Sequence, residues 1–488
     1  MKRLSLYSII LGMFISINGH AQDNPYLNDL NSFRREVKEN YENFRDEANK
    51  QYSDFLRKAW ENYRKLSPIP KPKDEDKPPV VLSDKDRKQR QNANPLPIKN
   101  TIKPPIVEPQ PEPIAPIQET PTIKERWLPF VLYGTSIKAR VPENKSFHLS
   151  SCSEQSVADG WKQLSSSDYN NTIHDCLELR SQRHLGDWAY LNLLSKLAVA
   201  CCGEGNEATL LMAYLYCQSG YQMRLANANG KLYMLYASRH NILGIGYFTL
   251  GGVKYYPYHC DEEQMHICDV AFPQEKPLSL LIPIQQEIDV EKSHPRTLLS
   301  NAFPNMKATV CVNKNLINFY NSYPTSSLGK DYMTRWAMYA NTPMDKTVKE
   351  SLYPSLRANI AGLSEKEAME RLLNWVQTGF VYEYDDKVWG HDRAFFAEES
   401  LFYPYCDCED RSILLSRLVR DLLGLKCILI HYPGHLAMAV NFHEDVRGDY
   451  IQLKERKYVV CDPTYINASV GMTMPNMDNS SATVILLE

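Results

Sequence analysis

The chain has 488 residues, 43% of them hydrophobic and 23% charged, with a formal net charge of -3 at pH 7. This length suits two or three domains, and the composition is that of a chain able to bury a core. Near-neutral charge without a basic, aromatic-interleaved patch excludes a nucleic-acid binder, and no run beyond the N-terminus is apolar and long enough to span a bilayer.

Met1-Lys2-Arg3 opens the chain with positive charge, residues 4–17 are mostly apolar, and Gly19-His20-Ala21 supplies small residues where a signal peptidase cuts. The pattern predicts a signal peptide over residues 1–21 and a mature chain from about Gln22, exported to the periplasm or secreted. No cysteine follows the cut, so no lipid anchor is expected. Residues 22–66 carry an eleven-residue repeat that aligns Phe33, Phe44 and Phe55, then Val37, Ala48 and Ala59, then Tyr41, Tyr52 and Tyr63. Eleven residues close on three helical turns, so the spacing predicts one long helix with an aromatic stripe along one face. Such a stripe calls for a protein partner, self-association or a docking face on the rest of the chain; the alternative is a solvated spacer helix. From residue 67 to 123 prolines recur amid Lys, Asp, Glu and Gln, which predicts a disordered, partly stiff linker.

Residues 124–275 read as globular, with an apolar helix over residues 188–199 and strand-like runs after Gly220. Residues 276–325 look strand-rich, as in 278–284 and 308–312, and are expected to form a β-rich connector. Helical periodicity returns from Tyr332 through Leu352, Leu356 and Ile360 to Val376 and opens a last unit over residues 326–488.

Within that unit, residues 405–465 concentrate the chemistry. Tyr405-Cys406-Asp407-Cys408-Glu409-Asp410 precedes an apolar stripe of Ile413, Leu414, Leu415, Leu418, Leu422 and Leu423, closed by Gly424. A helix start stabilises a thiolate through its unpaired N–H groups and dipole, which suits Cys408 to nucleophilic attack. His435 opens the alternating run after the Pro433-Gly434 turn, and Asp462 ends the run Tyr458-Val459-Val460-Cys461 before a proline. An imidazole can take the thiol proton and a carboxylate can orient the ring, so two strand ends beside one helix start make a workable triad.

The order Cys408-Glu409-Asp410 before a Gly-closed helix, His435 at a strand start and Asp462-Pro463-Thr464 after a strand resembles the transglutaminase-like cysteine hydrolase family. The resemblance covers roughly the last third of the chain. It implies an α+β, papain-like core in which a helix carrying Cys408 packs on an antiparallel sheet carrying His435 and Asp462. Cys408 would then be the nucleophile, His435 the base and Asp462 the orienting acid, with Gln377 or Trp389 completing the oxyanion site beside the Cys408 N–H. No cofactor or metal is implied. His431 and His435 could instead join Cys408 on zinc, although no Cys-x-x-Cys or His-Glu-x-x-His accompanies them.

Placing Gly220 under Gly424 brings Leu210-Leu211 under Leu414-Leu415 and residues 231–234 under residues 435–438. Residues 124–275 therefore read as a degenerate transglutaminase-like domain, with Glu204, Lys231 and His259 where Cys408, His435 and Asp462 stand. Lacking a nucleophile there, this pseudo-enzyme domain would be silent and serve binding. Cys201 or Cys202 with His240 or His259 is the rival catalytic set, and chance similarity is the bland reading. Among the twelve cysteines, Cys260 with Cys268 and Cys152 with Cys176 are possible bridges. The expected function is cleavage of a peptide or isopeptide amide through a Cys408 thioester; the alternatives are acyl transfer from protein glutamine to an amine and a non-catalytic envelope scaffold.

Overall fold

The structure is a computed structural model that describes residues 25–71, 77–84, 86, 94–120, 124–166, 169–329 and 331–488. The expected signal peptide lies outside these residues. Among the described residues, no helix is long and apolar enough to cross a membrane.

The described residues begin with helix α1 (Pro25–Leu56), shorter than the expected helix, because residues after Arg57 turn into strand β1 (Glu61–Arg64). The face of α1 that docks is not the phenylalanine stripe. Ala48, Asn49, Tyr52, Ser53 and Leu56 are buried, whereas Tyr41, Phe44 and Phe55 are exposed. Small residues let α1 lie close to helix α2 (Glu154–Ser165). There Asn49 Oδ1 accepts from Trp161 Nε1 at 3.1 Å, and its Nδ2 donates to Gln218 Oε1 at 3.1 Å. Two buried amides and an indole thus satisfy one another, which an aromatic stripe alone would not have specified.

The Pro-rich stretch is extended, as its composition implies, but its described residues are anchored to the rest of the chain at several points. Strand β2 (Val80–Val81) and strand β3 (Asn100–Ile102) both pair with the last unit, and farther on Gln110 Nε2 donates to Leu185 O and Asp187 Oδ1, each at 2.9 Å. The stretch is a strap tying the two halves together. A hairpin of β4 (Glu125–Leu132) and β5 (Thr135–Pro142) follows.

Helix α3 (Asp187–Cys202) then packs on helix α4 (Asn206–Gln218), which lies against the first six-stranded sheet. That sheet comprises β6 (Met223–Ala228), β7 (Lys231–Ala237), β8 (Phe248–Leu250), β9 (Val253–Pro257) and β10 (Gln264–Ile267), with β1 added at its edge, in the order β1-β10-β6-β7-β9-β8. Every pair in it is antiparallel. Between the halves, the run expected at 308–312 is a strand over Lys307–Val310 that pairs antiparallel with Arg296–Leu299, whereas residues 278–284 run as extended chain that bridges to Ser238 only at Leu278.

The second half repeats the helix-then-sheet order. Helix α5 (Glu365–Gly379) opens on a capping box in which Ser364 accepts from Glu367 N and Glu367 reaches back to the Ser364 N–H. Two short parallel strands follow, β11 (Val381–Tyr382) and β12 (Tyr405–Cys406), then helix α6 (Cys408–Leu423), whose C-terminal Gly424 adopts φ +69. The second sheet comprises β13 (Lys426–Tyr432), β14 (His435–Asn441), β15 (Tyr450–Leu453) and β16 (Arg456–Val460), and beyond them β17 (Tyr465–Ile466) pairs with β2. With β18 (Thr483–Leu486) and β3 the order is β15-β16-β14-β13-β18-β3, antiparallel except for the parallel β18–β3 pair. The architecture is mixed α+β, and one apolar core runs from Tyr52 on α1 through both helical layers to Ile485 on β18.

None of the twelve cysteines is bridged. The Cys260–Cys268 and Cys152–Cys176 pairings do not occur. Cys176 and Cys268 are buried, and Cys152 Sγ instead meets the Gly230 carbonyl and the Asn206 amide.

Candidate active site

The candidate residues sit at the start of α6, at the start of β14 and just past the end of β16; the structure pairs His435 with Asp462 and the Cys408 thiol with Glu409. Cys408 is the first residue of α6, where unpaired helix N–H groups favour an anion. One turn along, Ser412 Oγ donates to Leu436 O at 2.7 Å, which pins the start of α6 against the residue following His435. His435 begins β14 directly after the Pro433-Gly434 turn, where it pairs with Tyr432. Gly434 takes φ +72, a left-handed conformation that a side chain resists. Just past β16, Cys461 N donates to Met438 O at 2.8 Å, so the chain leaves the sheet with Asp462 alongside β14.

There Asp462 Oδ2 meets His435 Nε2 at 2.9 Å, while its Oδ1 accepts the N–H groups of Thr464 at 2.8 Å and Tyr465 at 3.2 Å. The carboxylate is therefore fixed by its own loop and fixes the ring in turn. With Nε2–H given to Asp462, the lone pair of a neutral imidazole lies on Nδ1, which is buried and makes no hydrogen bond. The Cys408 thiol meets Glu409 Oε2 at 3.2 Å. Cys408 is 1%, His435 2% and Asp462 3% exposed, so all three are sealed from solvent.

The aspartate of Cys-x-Asp has a visible task. Asp410 Oδ1 accepts from Phe395 N at 2.8 Å and Oδ2 from Asp407 N at 3.3 Å, which caps α6 and clamps the preceding loop to the Cys408 turn. Burial pushes the Asp410 carboxyl well above its usual range, helped by the charges of Asp385 and Glu409. Glu409 is likewise raised, by burial first and then by Asp392, against the opposing pull of Arg335. Asp385, Asp392 and Glu409 converge on one side and Asp385, Asp407 and Asp410 on the other. The fully buried Arg335 pairs with Asp392, and Arg393 N donates to Asp385 Oδ2 at 2.5 Å. Arg335 and Asp392 flank Glu409, the residue the thiol meets, a neighbourhood that no local pattern in the sequence revealed.

Gln377 does not serve as an oxyanion donor. Its Nε2 is spent on three carbonyls, those of Asp462 at 3.1 Å, Tyr465 at 2.8 Å and Ala468 at 3.1 Å, and its Oε1 accepts from Asn467 N at 3.1 Å. It is a staple for the loop that carries Asp462. Trp389 follows a short helical turn and packs its ring on Phe395 and Tyr403, with the Arg393 guanidinium 4.2 Å from its centroid. The buried Arg411 donates to Gln377 O at 3.1 Å and Phe380 O at 3.0 Å and lies over the Tyr382 ring, joining α5 to the α6 start.

His431 stacks on Trp336 with ring centroids 4.8 Å apart, and burial, aided by Arg335 and His435, pushes its pKa down to about 4. The groupings of potential metal ligands around Cys408 are carboxylates, and neither includes Cys408, His431 or His435.

In the first half, Lys231 and His259 line one open cleft of about 810 Å³, together with Asn229, Glu262 and His266. Glu204 is exposed in the turn before α4 and does not line that cleft. Cys201 and Cys202 end α3, where hydrogen bonding with Cys202 pulls the Cys201 thiol below its usual range. His240 is buried elsewhere, against Ser279 Oγ at 3.5 Å. The rival pairing of Cys201 or Cys202 with His240 is thus not assembled.

Comparison with protein-family models, with curated proteins and with solved structures finds no match to this chain.

Proposed function

We propose that the chain is a transglutaminase-like thiol hydrolase that cleaves a peptide or isopeptide amide through a thioester at Cys408. The observation that carries this reading is the buried His435–Asp462 pair at 2.9 Å, which leaves Nδ1 as the basic nitrogen in a site walled by the helix start bearing Cys408. In the reaction His435 Nδ1 takes the Cys408 proton as sulfur attacks the amide carbon, and returns it to the leaving amine. Water then attacks the thioester with the same imidazole as base. The Cys408 backbone N–H, at a helix start, is the oxyanion donor of this scheme.

The reading extends to the first half as a degenerate copy of the same unit. Support comes from the sheets: β1-β10-β6-β7-β9-β8 and β3-β18-β13-β14-β16-β15 follow matching connections, each behind a helix. The hairpin pair Ala228 with Lys231 corresponds to Tyr432 with His435. The two differ only at the sixth strand, antiparallel for β1 and parallel for β3. A non-catalytic scaffold is the second reading, favoured by the thiol's contact with Glu409 and its burial.

Labelling of Cys408 by iodoacetamide, read by mass spectrometry across pH, separates the two. A thiolate held by His435 labels at mildly acidic pH, and His435→Ala slows that by about 100-fold or more. Superimposable pH profiles for both proteins would remove the enzyme.

A further inference from the structure

Cys408, His435 and Asp462 are buried, and a segment of the same chain's Pro-rich strap runs beside the loops that carry His435 and Asp462. Lys77 N donates to Gly434 O at 2.8 Å, next to His435. Tyr382, paired with Cys406 two residues before the thiol, points its hydroxyl at Lys77 O at 3.4 Å. Val80 and Val81 lie parallel to Tyr465 and Ile466, just past Asp462, and Leu82 N donates to Ile466 O at 2.9 Å. Val80 and Leu82 also pack on a small apolar cluster of Tyr465, Ala468 and Met474. Residues 77–82 therefore touch the segments that carry His435 and Asp462, and reach the Cys408 segment through Tyr382.

We infer that residues 77–82 occupy the subsite for an extended peptide substrate, and that this strap must leave before Cys408 can be acylated. The inference rests on the thiol-hydrolase reading and deepens it by naming the ligand class. An extended peptide beside Tyr465–Ile466 offers backbone N–H and C=O groups to the same edge, the geometry of strand addition. The strap is a poor competitor for that edge. Pro78 and Pro79 have no N–H to donate, and its β pairing spans two residues only. A sealed nucleophile and a weakly bonded cover belong together: the cover excludes water until a chain with a full set of donors replaces it.

The test uses the full chain with Lys77→Pro and Leu82→Pro together, which deletes both donor N–H groups. An extended peptidyl vinyl sulfone should label Cys408 tenfold faster or more in this variant, with iodoacetamide labelling still dependent on His435. An unchanged peptidyl rate with the imidazole dependence intact would overturn the strap while leaving the hydrolase reading standing. Loss of the imidazole dependence in the wild type would instead sink the hydrolase reading. Should the variant fail to fold, hydrogen exchange on the wild type decides: the Lys77 and Leu82 amides should exchange at least 100-fold faster than those of Ala437 and Met438. Exchange at the β14 rate would overturn the inference.

Discussion

Replacing Gln377 by leucine keeps the side chain's volume and deletes its amide. Four hydrogen bonds vanish in a site 2% exposed. Tyr465 O retains the Ala468 N–H at 3.0 Å, so the groups that lose most are Asp462 O, Ala468 O and Asn467 N. A buried backbone group left without a partner costs about 1–3 kcal/mol, and partial relaxation of the loop brings the expected loss to about 3 kcal/mol. That is a sizeable share of the ~5–15 kcal/mol that holds a domain together. Urea unfolding followed by tryptophan fluorescence measures it. Because the loop also positions Asp462, Cys408 labelling at acidic pH should slow in step with the lost stability. A variant that keeps its urea midpoint within ~1 kcal/mol of wild type and yet loses acylation would refute the argument, since an oxyanion donor behaves that way.

Glu398 is fully enclosed, accepting from Asp345 N at 2.6 Å and from the Tyr320 hydroxyl at 3.4 Å, and burial raises its pKa to about 8. A carboxyl raised on folding contributes stability that is whole below its unfolded pKa, near 4.5, and is lost as pH rises through about 8. Glu398→Gln should therefore flatten the decline between pH 5 and pH 8, by at most about 5 kcal/mol; unfolding midpoints of both proteins across that window check it, and parallel curves would refute it. Asn49→Ala should cost about 2 kcal/mol and free α1 for limited proteolysis, because it strands Trp161 Nε1 and the Gln218 amide; a variant as protease-resistant as wild type would show that α1 is held by its apolar contacts alone.

The Cys408 helix, the His435 strand and the Asp462 strand end were legible because each is a local signal: a 3–4 spacing closed by glycine, an alternating run behind Pro-Gly, and an apolar run ending in Asp-Pro. Docking was not legible. The repeat marked Phe44 and Phe55 alongside Ala48 and Tyr52, yet only the latter two are buried toward α2, where Ser53 and a hydrogen-bonded Asn49 complete the face. The strap was unreadable for a similar reason. Its composition cannot build a core, yet a few backbone groups suffice when a waiting edge supplies the partners, and that edge is contributed by residues hundreds of positions away. Gln377 looked like a donor near a nucleophile because nothing local announces the carbonyls of residues 462–468 that consume it.

The parallel pairing of Asn100–Ile102 with Thr483–Leu486 has a consequence for biogenesis. A ribosome delivers the earlier segment long before its neighbour exists, so the sheet behind His435 is finished only once residues 483–486 have been made. Until then β13 keeps a bare edge on the side that β18 will take.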